Sequence, residues 1–505
     1  MNIQSLAPSI IQWGALTLVF LFGLGVLYVL VAYIVDKTQT THTIRRNYPV
    51  VGRFRYVLEH LGEFFRQYFF AMDREELPFN RAERSWVYRA SKKVDSTIAF
   101  GSTRSLNSEG EIIFINSAFP ILKEDTAGPA TVVIGKGSAA QPYETNAIIN
   151  ISAMSFGSIS KPAVRALSMG AKAAGIWLNT GEGGLSPYHL EGGCDVVFQI
   201  GTAKYGVRDN EGNLDTKKLK AVAQNPQVKM FEIKLSQGAK PGKGGILPGA
   251  KVTEEIANIR NIPVGKDSIS PNGHTNIRST DDVIDMVCEV RELTGRPVGI
   301  KLVVGDIAFI EELCLTVHRR GVITAPDFIT IDSADGGTGA APQPLMDYVG
   351  MPIRESLPQV VDMLIRYGLR ERIKVVVSGK LITPSRVAWA LAVGADFINS
   401  ARGFMFSLGC IQAMQCNKNT CPTGITTHKK SLQRGLVPEV KSERVAHYAR
   451  QIVADVNMLA HSCGVPNARD LNRSHLRVIE GNRKTSAYTD YYPDNETPTR
   501  YQPKP

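Results

Sequence analysis

The chain has 505 residues, 43% of them hydrophobic and 21% charged, with 45 glycines. That composition excludes a disordered chain, a coiled coil and a collagen-like repeat, and the length suits about three domains or one large α/β barrel with additions. Lys and Arg outnumber Asp and Glu by 58 to 47, and the net charge of +11 favours anionic partners such as lipid headgroups, phosphate groups and carboxylate substrates. No basic run with interleaved aromatics stands out, so nucleic acid is not expected.

From Met1 to Val35 there is no Asp, Glu, Lys or Arg. The stretch from Ile10 to Val35 is long enough to cross a hydrocarbon core as one helix. A cleaved signal peptide would need a basic start, a shorter apolar run and a small-residue cleavage site, and none is evident. A buried core helix is the other reading, against which the segment is apolar all round. Lys37, Arg45, Arg46, Arg53 and Arg55 follow, which places the rest of the chain in the cytoplasm, with Trp13 and Tyr33 as interface anchors. The expected divisions are an anchor over 1–36, a juxtamembrane and linking region over 37–145, a barrel with a cysteine loop over 146–430, and a helix and tail over 431–505. Residues 44–100 mix Tyr48, Phe54, Tyr56, Phe64, Phe65, Tyr68, Phe69 and Phe70 with arginines. They suit a membrane surface through snorkelling cations, or packing on the main domain, equally well.

Beyond residue 145, short apolar runs alternate with helix-period segments, the mark of repeated βα units. The expected strands are Ala147–Ala153, Ile176–Asn179, Val196–Ile200, Met230–Leu235, Val298–Val303, Phe328–Asp332, Lys374–Ser378 and Phe397–Ser400. They predict an α/β fold, a (β/α)8 TIM barrel, with the N-terminal transmembrane helix before it and a C-terminal helical extension after it. Spacings such as Val283, Val287, Val290 and Ile310, Leu313, Val317 give helices one apolar face to lay on the strands.

In such a barrel the chemistry collects at the C-terminal ends of the strands. Those exits are rich in Gly and polar residues: ISAMSFGSIS from Ile151, LNTGEGG from Leu178, IKLSQGAKPGKGGILPG from Ile233 and IDSADGGTGAAP from Ile331. One such run is more often a turn; four at successive exits point to backbone N–H groups that approach an anion. The loops after strands seven and eight, SGKLITPS and NSARG, offer Gly, hydroxyls and a cation for a phosphate. Lys234 and Lys301 interrupt apolar strands, so each points to a ligand at the barrel mouth or forms a structural salt bridge.

Seven cysteines are too sparse for a disulfide framework. Cys410, Cys416 and Cys421 share one loop with C-x5-C-x4-C spacing and a following Pro, which suits an iron–sulfur cluster, zinc with a fourth ligand such as His428, or structural thiols in a reducing compartment. Cys194, Cys288, Cys314 and Cys463 read as small buried hydrophobes.

Taken in order, SAMSFG, NTGEGG, QGAKPGKGG-x-LPG, the ISP turn, DGGTGA and the cysteine loop make the stretch from Asn146 to Thr427 resemble the FMN-binding synthase domain of glutamate synthase. With NYPVVGRFRYVLEHLGEFFRQYFF upstream and the spanning helix, the chain resembles the membrane-anchored, single-chain branch of that family. The resemblance implies FMN on Ala153, Met154, Ser155, Thr180 and Gln199, with Lys301 near the flavin ring. It places the phosphate around Gly336, Gly337, Thr338, Gly379, Ser400 and Arg402. It implies a [3Fe–4S] cluster on Cys410, Cys416 and Cys421, and 2-oxoglutarate against Glu182, Lys234, Gln237, Lys240 and Arg260.

The implied reaction is reduction of 2-iminoglutarate, formed from 2-oxoglutarate and ammonia, to glutamate by an oxidoreductase of the class acting on CH-NH2 donors. A ferredoxin-like electron donor suits it better than NADPH, because no dinucleotide fingerprint follows a strand. Two departures from the resemblance stand out. No Cys precedes Cys194, so glutamine hydrolysis is not expected in this polypeptide and ammonia comes from solution or from a separate glutaminase chain. After Thr427 only a long helix (Val445, Tyr448, Ile452, Val456, Leu459) and a polar tail are expected, and Ile246 stands where the family's GG-x-LPG loop carries Gln. These departures leave two other readings open: a flavin dehydrogenase of another amine or N-alkyl amino acid, and a redox subunit that needs partner chains.

Overall fold

The computed structural model describes residues 3–482 and 484–493. The chain divides into two compact units, Met1–Arg81 and Ala82–Pro505. The first opens on helix α1 (Ile3–Thr38). Its part Ile11–Thr38, with a mean hydropathy of 2.7, is the one helix among the described residues long and apolar enough to cross a membrane. Helix α2 (Thr43–Asn47), helix α3 (Gly52–Phe65) and a π-helical turn, Arg66–Phe70, follow.

In the second unit eight strands close a barrel: β1 (Ile149–Ile151), β2 (Leu178–Asn179), β3 (Val196–Ile200), β4 (Val228–Lys234), β5 (Val298–Leu302), β6 (Phe328–Asp332), β7 (Lys374–Ser378) and β8 (Phe397–Ser400). Neighbours pair in parallel, in sequence order, and β8 returns to β1. All eight lie where the apolar runs place them. Runs such as VVFQI and KVVVS form strands because β-branched residues suit a pleated surface covered on both faces.

The floor of the barrel is sealed from the N-terminal side. An antiparallel pair, Val132–Ile134 with Tyr143–Thr145, brings Ile134 and Tyr143 into a buried cluster with Trp177, Met230, Phe328 and Phe397. Trp177 meets Phe397 edge to face at 5.0 Å between ring centroids, and its indole N–H donates to Asn399 Oδ1 at 3.2 Å. Space for a ligand is thereby confined to the opposite, C-terminal mouth.

Between β1 and β2, helix α4 (Lys161–Ala174) stops at Gly175, whose φ of 69° is a left-handed cap. Helices α5 (Thr280–Thr294) and α6 (Ala308–Arg320) bury the apolar faces expected of them, Val283, Val287, Val290 and Ile310, Leu313, Val317. The long C-terminal helix α7 (Pro438–Ser462) buries Val445, Tyr448, Ile452 and Val456, while Leu459 is only half-buried. It packs on α4 so closely that a Cβ on Gly170 would stand 2.5 Å from Val445 Cβ. The remainder is not only a tail: Leu476–Gly481 and Lys484–Ala487 form an antiparallel hairpin, and Leu476–Gly481 also pairs with Ile112–Phe114.

Candidate functional site

A cleft opens at the C-terminal mouth, with about 1350 Å³ of atom-free space including its open side, and each strand or its exit loop contributes to the wall. Glu182, Lys234, Gln237, Lys240 and Arg260 all line it. So do Ala153, Met154, Ser155, Gln199, Lys301, Gly337, Thr338, Gly379, Ser400, Arg402 and Cys416. Thr180 and Gly336 stand behind the wall. The Thr180 hydroxyl donates to Gly181 O at 2.9 Å and accepts from Gln199 N at 3.1 Å, so it ties β2 to β3. Gly336 is packed beneath the β6 exit, where a Cβ would stand 2.8 Å from Ser333 O.

One end of the cleft is a charge cluster. Glu182 sits in the turn after β2, and Gly181 there has a φ of 65° and room for no side chain, since a Cβ would be 2.7 Å from Ser155 N. Lys234, at the end of β4, places its Nζ 3.0 Å from Glu182 Oε2 and also donates to Gln237 Oε1. The long loop after β4 returns over the mouth and carries Lys240 and Arg260, both buried. Arg260 Nη2 donates to Ser155 Oγ and Phe156 O, each at 3.3 Å, while its buried Nε has no partner among the described residues.

Burial works against every charge here, and the neighbours decide the balance. It raises the Glu182 carboxyl, but Lys234, Lys240 and Arg260 together hold it below the usual carboxylate range. Burial pushes Lys240 down to about 8, against the pull of Glu182. It also lowers Arg260, which as a guanidinium stays charged. Three cations around one carboxylate leave an excess of two positive charges in a desolvated pocket, the complement of a small dianion.

The other end is held by a second network. Lys301, on β5, has its Nζ 3.3 Å from Asp332 Oδ2, at the end of β6. Burial lowers this ammonium, but Asp332 and Glu232 more than offset it and keep it above its ordinary value. Both lysines thus satisfy the two sequence readings together: each has a carboxylate partner, and each faces the cleft. At the exits of β7 and β8, Lys380 pairs with Asp335 at 2.9 Å, and Arg402 Nη2 donates to Thr338 O at 2.5 Å. Gly337 runs so close to Arg402 that a Cβ would lie 2.7 Å from its Nε.

Four buried side chains that join these networks were not among the sequence-predicted residues. Glu232 accepts from Asn179 Nδ2 at 2.9 Å, Gln199 Nε2 at 2.6 Å and Thr330 Oγ1 at 2.6 Å. It lies two residues before Lys234, hence on the same face of β4, and an acid in an apolar strand was the available signal. Asp332 accepts from Ser378 Oγ at 2.6 Å and Gly238 N at 3.0 Å. Lys251 donates to Ser158 O at 2.6 Å and to Cys416 O at 3.4 Å, which links the cleft to the cysteine loop. His274 meets Lys234 O through Nε2 at 3.0 Å, and burial pushes it down to about 4, so it is neutral. Lys251 and His274 lie in loops whose sequence gave no sign of burial.

Of the three loop cysteines, Cys416 faces the cleft, with its Sγ 3.9 Å from Arg402 Nη1. Burial pushes the Cys410 thiol up to about 11. Burial also raises Cys421, but hydrogen bonds with Thr423 and Thr426 bring it below its ordinary value. Among the described residues no group of three or more His, Cys, Asp or Glu could hold a metal ion as placed. His428 Nε2 meets Gly157 O at 2.8 Å, which fixes the ring and leaves Nδ1 as its other nitrogen. The remaining cysteines are buried except Cys288, which is half-buried, and all seven are free.

The family model described as a conserved region in glutamate synthase matches residues 105–466. A glutamate synthase large subunit-like protein of Bacillus subtilis, YerD, is 40% identical over 482 residues, covering 88% of this chain and 91% of that one. An archaeal-type glutamate synthase (NADPH) of Thermotoga maritima is 33% identical over 362 residues, 71% of this chain and 67% of its own. Among solved structures, a flavocytochrome b2 variant with benzoylformate aligns with a TM-score of 0.46 at 15% identity, over 88% of this chain and 93% of that one. The match over the whole barrel, cysteine loop and flanking strand makes this chain a member of the glutamate synthase family.

Proposed function

We propose that this chain is an FMN-dependent oxidoreductase that reduces 2-iminoglutarate, formed from 2-oxoglutarate and ammonia, to glutamate. The observation that carries the reading is the cluster of Lys234, Lys240 and Arg260 around Glu182, in one cleft with the Lys301 and Arg402 networks. The excess positive charge suits a dicarboxylate, and a guanidinium with an unspent buried donor suits bidentate capture of one carboxylate.

The residues present fit FMN. The Gly337 cradle against Arg402, with Lys380 and Gly379 opposite, offers cations and close backbone to a phosphate. Lys301 supplies a fixed positive charge deeper in the mouth. When bound and reduced, FMN supplies the hydride for the imine carbon. The protein's own part is to hold and neutralise: Arg260 and Lys240 bind the two carboxylates, the Glu182 and Lys234 pair stands by the imine nitrogen to hold its proton, and the loop after β4 excludes water.

In this reading Cys410, Cys416 and Cys421, which do not form a metal site as placed, would hold an iron–sulfur cluster of the [3Fe–4S] type. Three soft thiol donors on one loop, with Arg402 and Lys251 to balance thiolate charge, support it. Such a cluster supplies one-electron transfer. A ferredoxin-like donor is the reading's electron source; because relatives carry NADPH in their names, both donors belong in the assay. Helix α1 anchors the protein in the cell membrane, and Lys37, Arg45 and Arg46 keep the barrel on the cytoplasmic side.

The test is ammonia-dependent glutamate formation by the purified full chain, supplied with 2-oxoglutarate and reduced ferredoxin, reduced dye or NADPH. Absence of product with every 2-oxoacid and donor contradicts the reading. Ile246, half-buried in the cleft wall, favours the second one, a dehydrogenase of another amine or N-alkyl amino acid. Bleaching of oxidised flavin by such amines, without 2-oxoglutarate, selects it.

A further inference from the structure

We propose that α3 and the π-turn after it lie in the headgroup layer of a phospholipid bilayer, apolar face toward the acyl chains; this rests on the reading of α1 as a membrane span. On α3, Phe54, Leu58, Leu61 and Phe65 recur at i, i+4, i+7 and i+11, which puts them on one face. They are 65%, 66%, 40% and 46% exposed, and Phe69 and Phe70 extend the surface at 71% and 77%. Arg55, Glu59, Glu63 and Arg66 occupy the opposite face. An apolar stripe of this extent marks an interaction surface.

The occupant follows from where the helix is tied. Asp36, in the last turn of α1, is 1% exposed because Arg53 grips it with Nε at 2.8 Å and Nη2 at 2.9 Å, and Val50 N donates to it at 3.0 Å. Arg53 Nη2 also reaches Ala32 O at 3.4 Å. The first turn of α3 is therefore pinned at the level where α1 leaves the hydrocarbon. An amphipathic helix that begins there meets headgroups on one side and water on the other. Residues 39–58 contain four arginines and no acid, which suits anionic lipid. Arg45 and Arg55 stack on Tyr56, at 4.6 and 5.5 Å from its ring centroid, away from the stripe.

The experiment uses the full chain in nanodiscs of phosphatidylethanolamine and phosphatidylglycerol doped with a diazirine-tailed phosphatidylcholine, photolysed and mapped by peptide mass spectrometry. The expected labels fall on α1 and on Phe54, Leu58, Leu61 and Phe65, and spare Arg55, Glu59 and Glu63. In the double variant L58E/L61E the labels over 52–70 are lost and those on α1 persist. Labels on α1 with none over 52–70 in the unaltered chain overturn this inference alone, and are the pattern expected if the catalytic body or a second copy covers the face. Labels on neither overturn the anchor reading and this inference with it.

Discussion

Burial of Lys240 gives the cleft a charge that changes near neutrality. With its ammonium pushed down to about 8, the side chain is charged below that pH and neutral above it, so a bound dianion loses one partner as pH rises. The affinity for 2-oxoglutarate, read from the flavin absorbance shift, is expected to weaken as pH passes 8. Lys240→Met is expected to weaken it by about 10- to 100-fold at neutral pH, the worth of a charge-assisted hydrogen bond, and to abolish the pH step. An unaltered protein whose affinity is flat through pH 8 contradicts the assignment. Glu232 is the other residue on which much converges, because one carboxylate accepts from Asn179, Gln199 and Thr330. Glu232→Gln puts an amide donor against one of those donors, and an unsatisfied buried group costs about 1–3 kcal/mol. A fall in thermal midpoint is expected, together with a shifted flavin spectrum because Gln199 lines the cleft; an unchanged midpoint and spectrum would show that the hub is dispensable.

At the scale of elements, the contact between α4 and α7 is set by one missing side chain. Gly170→Ala improves helix propensity by about 1 kcal/mol, yet its Cβ would meet Val445 Cβ at 2.5 Å. Overpacking costs about 1–3 kcal/mol, so G170A is expected to lower the thermal midpoint. A stabilised G170A contradicts the packing described. The barrel strands were legible because strands covered on both faces read as nearly continuous apolar runs, as in the VVV of β7. The pair Ile246–Leu247 with Ser268–Ile269 was not, because both pieces sit inside Gly- and Pro-containing loops with no apolar run around them. Nor was the sheet that joins Ile112–Phe114 to Leu476–Gly481, since its partners come from opposite ends of the chain.

For the whole molecule, Lys234 and Lys301 were legible because each breaks an apolar strand, and Glu182 and Lys240 sit in glycine-rich exits, whereas Arg260, at the end of the helix Glu254–Arg260, was implied by the resemblance alone. Lys251 and His274 were not legible, since a loop over the barrel mouth buries them only after folding. The iron–sulfur reading is checked by Cys416→Ser: iron and acid-labile sulfide are expected to fall to background while flavin is retained, and an unaltered protein without iron contradicts it. The claim on which the account depends is that one cleft holds the flavin and the dicarboxylate together. Its most direct test is an anaerobic titration of the purified full chain with 2-oxoglutarate, followed by flavin absorption. The account expects a saturable shift of the bound flavin's spectrum that is lost in Arg260→Met, and a preparation that takes up no FMN, or whose flavin spectrum ignores 2-oxoglutarate, contradicts it.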